Sequence, residues 1–447
     1  MPTLLFLLID LIAVAGGIWA IQAISGARWS PRREALAVLS VSTIAALFIF
    51  ATSEPRVLFG DFRDAYYLAG EAVLEGPARL TPLLEQGVHG FVNLPIVAYL
   101  FAPFALLPWK GAVVVFSLIG LAATLAAWAL LARLAGLERR DRWLLLFLFA
   151  VNGPLHYSVK EANTSHMVLL GLAGGLYLLR AGRSMAAGIL LGAMAVIKLP
   201  LLLFGAAFVL RRNWSAAFGF AFVCALAGGL SLAVFGWDLH RLWFDLCVRQ
   251  FASSPLGAFN VQSIQALLVR ALDGAAVLRD WDAREITTAQ RLAGSAMVGL
   301  LYLTAAFVCT RRSAAPGRDS QAATGAQDLE YLLVLSLAVI GSPLSWSHYY
   351  AWLLMPIALL LGPRSPIRSG TTARQLAWVA ILLITPTVLL LEFSNPVLMA
   401  AYTAIGVSHL LFGGLLLFAL LAWSRAAIAA TVPPLALGRR ADAPAGS

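Results

Sequence analysis

The 447-residue sequence has very little charge. Only 12% of its residues are Asp, Glu, Lys or Arg, whereas 60% belong to the hydrophobic set. A soluble globular domain usually carries about 25% charged residues. With a mean hydropathy of +0.83, so few charges cannot cover the surface of a water-soluble fold. The composition therefore excludes an ordinary soluble enzyme and a disordered scaffold, and it predicts a polytopic membrane protein.

Cysteine is scarce as well. Three Cys, far apart in the chain, are too few for a disulfide framework or a cysteine metal site. No pair of the six His has a metal-ligand spacing. We therefore expect no metal and no other cofactor.

Lysine is the rarest basic residue, since Lys110, Lys160 and Lys198 are the only three among 32 basic side chains. Lys198 follows a long apolar run, and an ionisable group at such a depth marks a candidate functional site. A compact ammonium on a flexible stem suits a phosphate. The alternative is that Lys198 extends to the lipid head groups.

Long apolar stretches predict an all-α fold with about 12–13 transmembrane helices, because about 20 apolar residues span a bilayer. Prolines at 95, 103 and 108 interrupt residues 94–108 and predict a broken or re-entrant segment there. Residues 200–210 are expected to cross as a short helix. The remaining predicted spans are 3–25, 35–53, 110–132, 143–158, 164–180, 184–199, 214–236, 291–310, 330–345, 348–363, 375–392 and 397–424.

Clusters of Arg predict the orientation. The net charge of +10 is better explained by cytoplasmic loops rich in Arg than by a nucleic-acid partner, because basic residues accumulate on the cytoplasmic side. Residues 1–425 are then one membrane domain, and 426–447 a disordered cytoplasmic tail. The Arg clusters lie at 28–33, 133–142, 180–183, 211–212, 311–318, 364–374 and 425–440.

Two long connections, 54–92 and 237–290, fall on the other side of the predicted membrane. Long connections in compact domains are usually functional or disordered, and these contain too many aromatic and apolar residues for disorder. We therefore expect the working face outside the cell, on the periplasmic side of a bacterial inner (plasma) membrane.

Asp61 and Asp64 are the candidate catalytic carboxylates of the first connection. They occur in Gly-Asp-Phe-Arg-Asp-Ala-Tyr-Tyr, residues 60–67, and their i, i+3 spacing would place both on one helix face. A partly desolvated carboxylate beside aromatic rings can act as a general base. The alternative is an interfacial Asp that caps a surface helix, with Tyr66 and Tyr67 as membrane anchors.

Further polar side chains interrupt apolar sequence on the same predicted face. Amides suit sugar hydroxyls, and Arg or His suits a phosphate oxygen. Aromatic anchoring of His348 and a surface pair between Lys160 and Glu161 are the structural alternatives. The candidate substrate-binding residues are Tyr66, Lys160, Asn163, Lys198, Asn260, Gln262, Arg270, Trp346 and His348.

Five segments, in order, resemble the polyprenyl-phosphate-sugar-dependent glycosyltransferases of family 87. This family belongs to the GT-C group and includes mycobacterial phosphatidylinositol-mannoside mannosyltransferases. The segments are Asp61–Gly76, Asn93–Pro108, Ala187–Pro200, Asn260–Ser263 and Ser342–Tyr349. Two family patterns differ here: Tyr349 replaces a second His, and Lys160-Glu161-Ala-Asn163 replaces Gly-Gln-x-Asn.

The resemblance implies a GT-C fold and an inverting transfer of a sugar from a lipid phosphate to an acceptor hydroxyl of a lipid or glycan. It implies Asp61 as the essential carboxylate, with Asp64 as its competitor, and it aligns Lys198 with a family Lys. The resemblance further implies that the lipid-linked sugar is the substrate and that membrane lipids surround the protein. A lipid or glycan transporter and an inactive envelope-assembly subunit are the alternatives.

Overall fold

A computed structural model describes residues 30–53, 57–311 and 320–430. This part of the chain is predominantly helical, with one isolated bridge between Val261 and Trp346, which confirms the all-α fold. The predicted first span, 3–25, lies outside the described residues. The longer helices are Pro31–Thr52, Leu68–Glu75, Trp109–Leu134, Arg139–Val151, Gly153–Lys160, Ser165–Arg180, Ser184–Ile197, Leu203–Leu210, Trp214–Trp243, Ile264–Asp273, Thr288–Thr310, Ser320–Ile340, Leu354–Leu361, Thr371–Ile384 and His409–Ala430.

Shorter helical turns connect these helices and fill the two long connections. The segment 94–108 is broken, as the prolines predict. The short elements are Phe62–Tyr67, Pro77–Leu80, Thr81–Glu85, Gly87–His89, Pro95–Leu100, Ala102–Ala105, Leu199–Leu202, Phe244–Arg249, Gln250–Ser253, Gly274–Arg279, Ser347–Leu353, Pro396–Ala401 and Tyr402–Gly406.

Six helices in the described ranges are long and apolar enough to cross a bilayer, and six apolar helices of 10–17 residues accompany them. These helices confirm a multi-pass membrane protein, whereas the count of 12–13 crossings stays a prediction. The six long ones are Arg32–Ala51, Trp109–Leu134, Trp214–Ser253, Thr288–Thr310, Ala323–Ile340 and His409–Ile428.

Several predicted spans have other boundaries. The span 143–158 breaks at Asn152, whose side chain accepts the Leu155 N–H at 2.9 Å and begins a new helix. The span 397–424 is divided before His409, and the final helix continues to Ala430, past the predicted end of the membrane domain at 425. Residues 431–447 of the predicted tail lie outside the described residues. Hydropathy alone does not predict such breaks, because capping residues decide where a helix ends.

The predicted span 214–236 is also longer than expected. Its helix bends at Gly236, where φ is 72°, and continues to Trp243. Part of the second long connection is therefore helical and lies against the first one, where the Trp243 indole N–H donates to the Val92 carbonyl at 3.1 Å.

The helix Ser184–Ile197 packs closely along Trp214–Trp243. Its buried face is formed by Ala187, Gly188, Leu191, Gly192 and Ala195. Small residues let two membrane helices approach closely. This packing fixes the position of the C-terminal end of Ser184–Ile197, which is directly followed by Lys198.

Several predicted Arg clusters meet at one end of the bundle. Arg180 pairs with Asp328 at 2.6 Å, while Arg211 and Arg425 both pair with Glu330 at 2.8 Å. The Arg425 side chain is fully buried. The two acids belong to Ser320–Ile340, so one helix joins arginines from three predicted cytoplasmic clusters.

Glu330→Ala should destabilise the protein by about 3–5 kcal/mol, because Arg425 would remain buried without its carboxylate. Thermal and denaturant unfolding in detergent would measure the change. Glu75→Ala is the matched control, since the Glu75–Arg79 pair is highly exposed and such pairs contribute about 0–1 kcal/mol. Equal effects of the two substitutions would contradict the structural role of Glu330.

Candidate active site

A cavity of about 640 Å³ lies between the helices, away from the arginine end. Ala338 lines it, and on the same helix Ala338 is about 15 Å from Asp328 at 1.5 Å per residue. Most of the wall is apolar, with a few polar groups, as is usual for ligand sites. The polar and aromatic lining includes Asp61, Tyr66, His89, Asn93, Tyr157, Asn163, Lys198, Asn260, Trp281, Trp346, His348 and Tyr349.

Asp61 begins the π-type turn Phe62–Tyr67. The Asn163 amide donates to its Oδ2 at 2.5 Å and to the Tyr66 hydroxyl at 3.2 Å. Burial raises the pKa of the Asp61 carboxyl above its ordinary value, although the Asn163 hydrogen bond and the nearby Lys198 and Lys160 ammonium groups oppose the shift. Asp61 is therefore a desolvated carboxylate that accepts a hydrogen bond, a suitable environment for a general base.

Lys198 enters the same network from the other side. Its Nζ donates to the Asn163 Oδ1 at 3.1 Å, and it lies 5.4 Å above the centre of the Tyr349 ring. The backbone of Lys198 is extended (φ −136°, ψ 96°), which ends the helix Ser184–Ile197. Asn93 satisfies the freed carbonyl of Ile197 at 2.8 Å, so the helix ends directly at the cavity wall.

The contacts of Asn163 fix the orientation of its amide. The backbone N–H and the hydroxyl of Ser165 donate to Oδ1 at 2.9 and 2.8 Å, as does Lys198. Oδ1 thus faces donors only, and the amide nitrogen faces the Asp61 carboxylate. Amide orientations are assigned from such networks, and here the partners leave one consistent assignment.

His348 lies in the cavity wall with 4% of its surface exposed. Its ring is nearly parallel to Tyr157 at 6.3 Å and to Trp346 at 6.2 Å. Both imidazole nitrogens are buried and make no hydrogen bond to any described residue. Leaving such groups unpaired is costly, so they are available to a ligand in the cavity.

Asn260 is brought to His348 by backbone pairing between two distant segments. Ser347 N–H donates to the Asn260 carbonyl at 2.7 Å, and Gln262 N–H donates to the Ser345 carbonyl at 2.6 Å. The Asn260 side chain donates to the Tyr157 hydroxyl at 3.2 Å and accepts the Trp281 indole N–H at 2.9 Å.

The structure thus brings together seven of the eleven predicted residues and leaves four outside the cavity lining. Asp64 is exposed and pairs with Arg63 at 2.8 Å. It does not share the position of Asp61 because the residues form a π-type turn, which is wound more widely than the α-helix assumed for the i, i+3 argument. Lys160 pairs with Glu161 at 2.9 Å instead of facing the cavity.

Arg270 and Gln262 satisfy backbone carbonyls. Arg270 is 1% exposed and donates to Ala258 O and Val261 O at 3.1 and 2.8 Å, and to the Ser408 hydroxyl at 3.0 Å. The Gln262 amide donates to Phe259 O and Val407 O at 2.8 and 2.7 Å. Both stabilise the loop that carries Asn260, so their place is behind the cavity wall.

Tyr157 and Trp281 line the cavity but were not predicted from the sequence. Each contacts Asn260, although Tyr157 is far from it in the chain. The only sequence feature near Tyr157 was the polar turn that carries Lys160 and Asn163. No sequence feature indicated Trp281, because indole rings are common at membrane interfaces.

An all-α membrane bundle that holds a carboxylate, an amide and an ammonium in a largely apolar cavity has the features of a membrane-embedded enzyme. The family model for glycosyltransferase family 87 matches residues 91–336, more than half of the sequence. The chain belongs to glycosyltransferase family 87 and is a membrane glycosyltransferase.

A relative of known activity agrees with this assignment. The chain is 28% identical over 341 residues, 74% of its length and 76% of the other's, to a protein of Mycolicibacterium smegmatis. That protein is a polyprenol-phosphate-mannose-dependent alpha-(1-2)-phosphatidylinositol pentamannoside mannosyltransferase.

Asn163→Ala should lower the transfer rate by about 10- to 100-fold, because hydrogen bonds to charged groups contribute about 1.5–3 kcal/mol. The rate of sugar transfer by purified, folded protein measures this. Asn395→Ala is the control, since Asn395 only caps the helix Pro396–Ala401 and is not among the cavity-lining residues. A variant at 163 as active as that control would contradict the central role of the amide.

Proposed function

We propose that this glycosyltransferase moves a mannose-like hexose or a pentose from a polyprenyl-phosphate donor to a lipid or glycan acceptor. The observation that carries the proposal is the Asp61–Asn163–Lys198 network, which places a carboxylate and an ammonium on one amide inside an apolar cavity. The dependence of the Mycolicibacterium relative on polyprenol-phosphate-mannose supports this class of donor.

In the proposed reaction Asp61 is the general base. Its carboxylate takes the proton of the acceptor hydroxyl as that oxygen attacks the anomeric carbon from the face opposite the phosphate. The new carbon–oxygen bond forms while the bond to the phosphate oxygen breaks, and polyprenyl phosphate leaves with the electron pair. The configuration of the anomeric carbon is inverted.

The leaving phosphate is an anion and needs positive charge and hydrogen-bond donors more than an acid. Lys198 supplies an ammonium that is fixed by Asn163, and His348 supplies ring nitrogens that no described residue occupies. Preorganised charge of this kind is a large source of catalysis. Tyr66, Asn260 and Trp346 complete the polar and aromatic wall that faces the sugar.

The apolar part of the cavity suits the lipid chain of the donor. It includes Val196, Leu199, Leu202, Leu203 and Val248, and Leu202 is 47% exposed on the bundle surface. Apolar surface at the edge of a cavity favours a hydrocarbon chain over a soluble nucleotide sugar. The donor would thus lie with its phosphate at Lys198 and its chain along these residues.

Asp61→Asn should abolish transfer in purified, folded protein while donor binding persists, because the amide cannot accept the proton. The wild-type rate should also fall as the pH drops through the pKa of Asp61. Since burial raises that pKa, this acid limb should lie above the ordinary Asp value of about 3.9. Measurements of kcat/KM against pH and of donor binding test both points. Full activity of the Asn variant would refute the base assignment.

The proposed orientation places the cavity outside the cell and the arginine end in the cytoplasm. Single cysteines at exposed positions 64 and 183, in a chain whose three native Cys are replaced, should react with an impermeant thiol reagent from opposite sides. Position 64 should label in intact cells and position 183 only after the membrane is opened. Labelling of both in intact cells would contradict the orientation.

A further inference from the structure

Asp61 is held by a contact between two turns. We name residues 59–62 the Asp61 turn and residues 160–163 the Asn163 turn. The Phe59 N–H donates to the Lys160 carbonyl at 2.8 Å, and the Phe62 N–H donates to the Glu161 carbonyl at 3.2 Å. The Glu161 carboxylate lies beside Gly60, between these two backbone contacts. The residues on both sides of Asp61 are thus bonded to the turn that carries its amide partner.

Glu161 fits in this place because residue 60 has no side chain. A Cβ at Gly60 would lie 2.6 Å from the Glu161 Oε2, closer than such atoms approach. Glu161 is 8% exposed and is not among the residues that line the cavity. The carboxylate therefore contacts the backbone of the Asp61 turn and not the substrate space.

Lys160 holds the other oxygen of this carboxylate. Its Nζ lies 2.9 Å from the Glu161 Oε1 and 4.8 Å from the centre of the Tyr157 ring. One oxygen of Glu161 thus faces the ammonium and the other faces Gly60. A largely buried carboxylate needs such partners.

Backbone strain lies beside the contact in both turns. Phe59 has φ of 61° and Ala162 has φ of 48°, in the left-handed region that costs non-glycine residues about 1–3 kcal/mol. Such conformations persist only where surrounding contacts hold them. The hydrogen bonds between the two turns are the contacts that can do so.

We propose that Glu161, held by Lys160, is a positioning residue that fixes the backbone of Gly60 and thereby the Asp61 carboxylate against Asn163. The proposal rests on the proposed role of Asp61 as the base. Glu161 itself touches no reacting atom.

The position of Glu161 gives the proposal a pH signature. Burial raises the pKa of Glu161 to about 7, the charge of Asp61 adds to the shift, and Lys160 opposes it. Arg63 also interacts with the charge of Glu161. The other groups that interact with the charge of Asp61 are Lys198 and Asp64, together with the hydroxyls of Tyr66, Tyr157 and Tyr349. When Glu161 ionises near pH 7, its negative charge lies beside the backbone of Gly60 and makes Asp61 a stronger base. The transfer rate should therefore rise through a second inflection near pH 7.

The experiment measures kcat/KM for sugar transfer from a polyprenyl-phosphate sugar, between pH 5 and 9, for four proteins. Wild type should show the inflection near pH 7. Glu161→Gln, which keeps an acceptor oxygen but cannot ionise, should retain the activity of the neutral form and lose that inflection. Lys160→Gln should move it upward by about one unit, because the opposite charge is gone. Glu75→Gln, an exposed carboxylate of the same connection, should match wild type.

A second measurement tests the contact without an activity readout. Gly60→Ala should lower the melting temperature of the wild type by several degrees but lower that of Glu161→Ala by less, because the added methyl group then meets no carboxylate. If Glu161→Ala does not fold, the pH profile of Glu161→Gln decides.

The outcomes separate the two proposals. An inflection near pH 7 that persists in Glu161→Gln, or equal effects of Gly60→Ala in both backgrounds, would overturn the positioning role while Asp61→Asn remains inactive. Full activity of Asp61→Asn would instead remove the proposed base, whatever the melting temperatures show.

Discussion

The sharing of one amide by two opposite charges is the interaction on which the site depends. Asn163 donates to Asp61 and accepts from Lys198, so the carboxylate and the ammonium are held in one network with the amide between them. In a direct ion pair, the carboxylate and the ammonium would neutralise each other. With the amide between them, the carboxylate keeps an oxygen for a proton, and the ammonium keeps donors for an anion.

The residues of this network lie where helices of the bundle are interrupted. Lys198 stands where one helix stops before Pro200, Asn163 in the turn before Ser165–Arg180, and His348 just after the break at Pro343. Each break frees backbone groups that must be satisfied inside the bundle. Asn93, Gln262 and Arg270 bind such carbonyls. The rigidity of the cavity wall thus comes from polar side chains that bind backbone carbonyls, and two of them, Gln262 and Arg270, are not among the lining residues.

This division explains how far the sequence could predict the molecule. Sparse charge and long apolar runs were sufficient for the all-α membrane fold. Polar residues at the interruptions predicted Asp61, Asn163, Lys198 and His348, which line one cavity in the structure. A sequence does not show whether a polar side chain at a break faces the cavity or a freed carbonyl, because both uses suit the same residue types. Arg270 was for this reason placed at the phosphate, although it binds the backbone.

The departures from the family pattern lie around the same network. Tyr349, which stands where the pattern has a second His, presents its ring to the Lys198 ammonium, a contact that stabilises a cation. Glu161, in the turn that departs from Gly-Gln-x-Asn, places its carboxylate between Gly60 of the Asp61 turn and the Lys160 ammonium. Here each changed residue has a partner in the network around Asp61, so the departures alter the charges near this carboxylate and leave the Asp61–Asn163–Lys198 contacts in place.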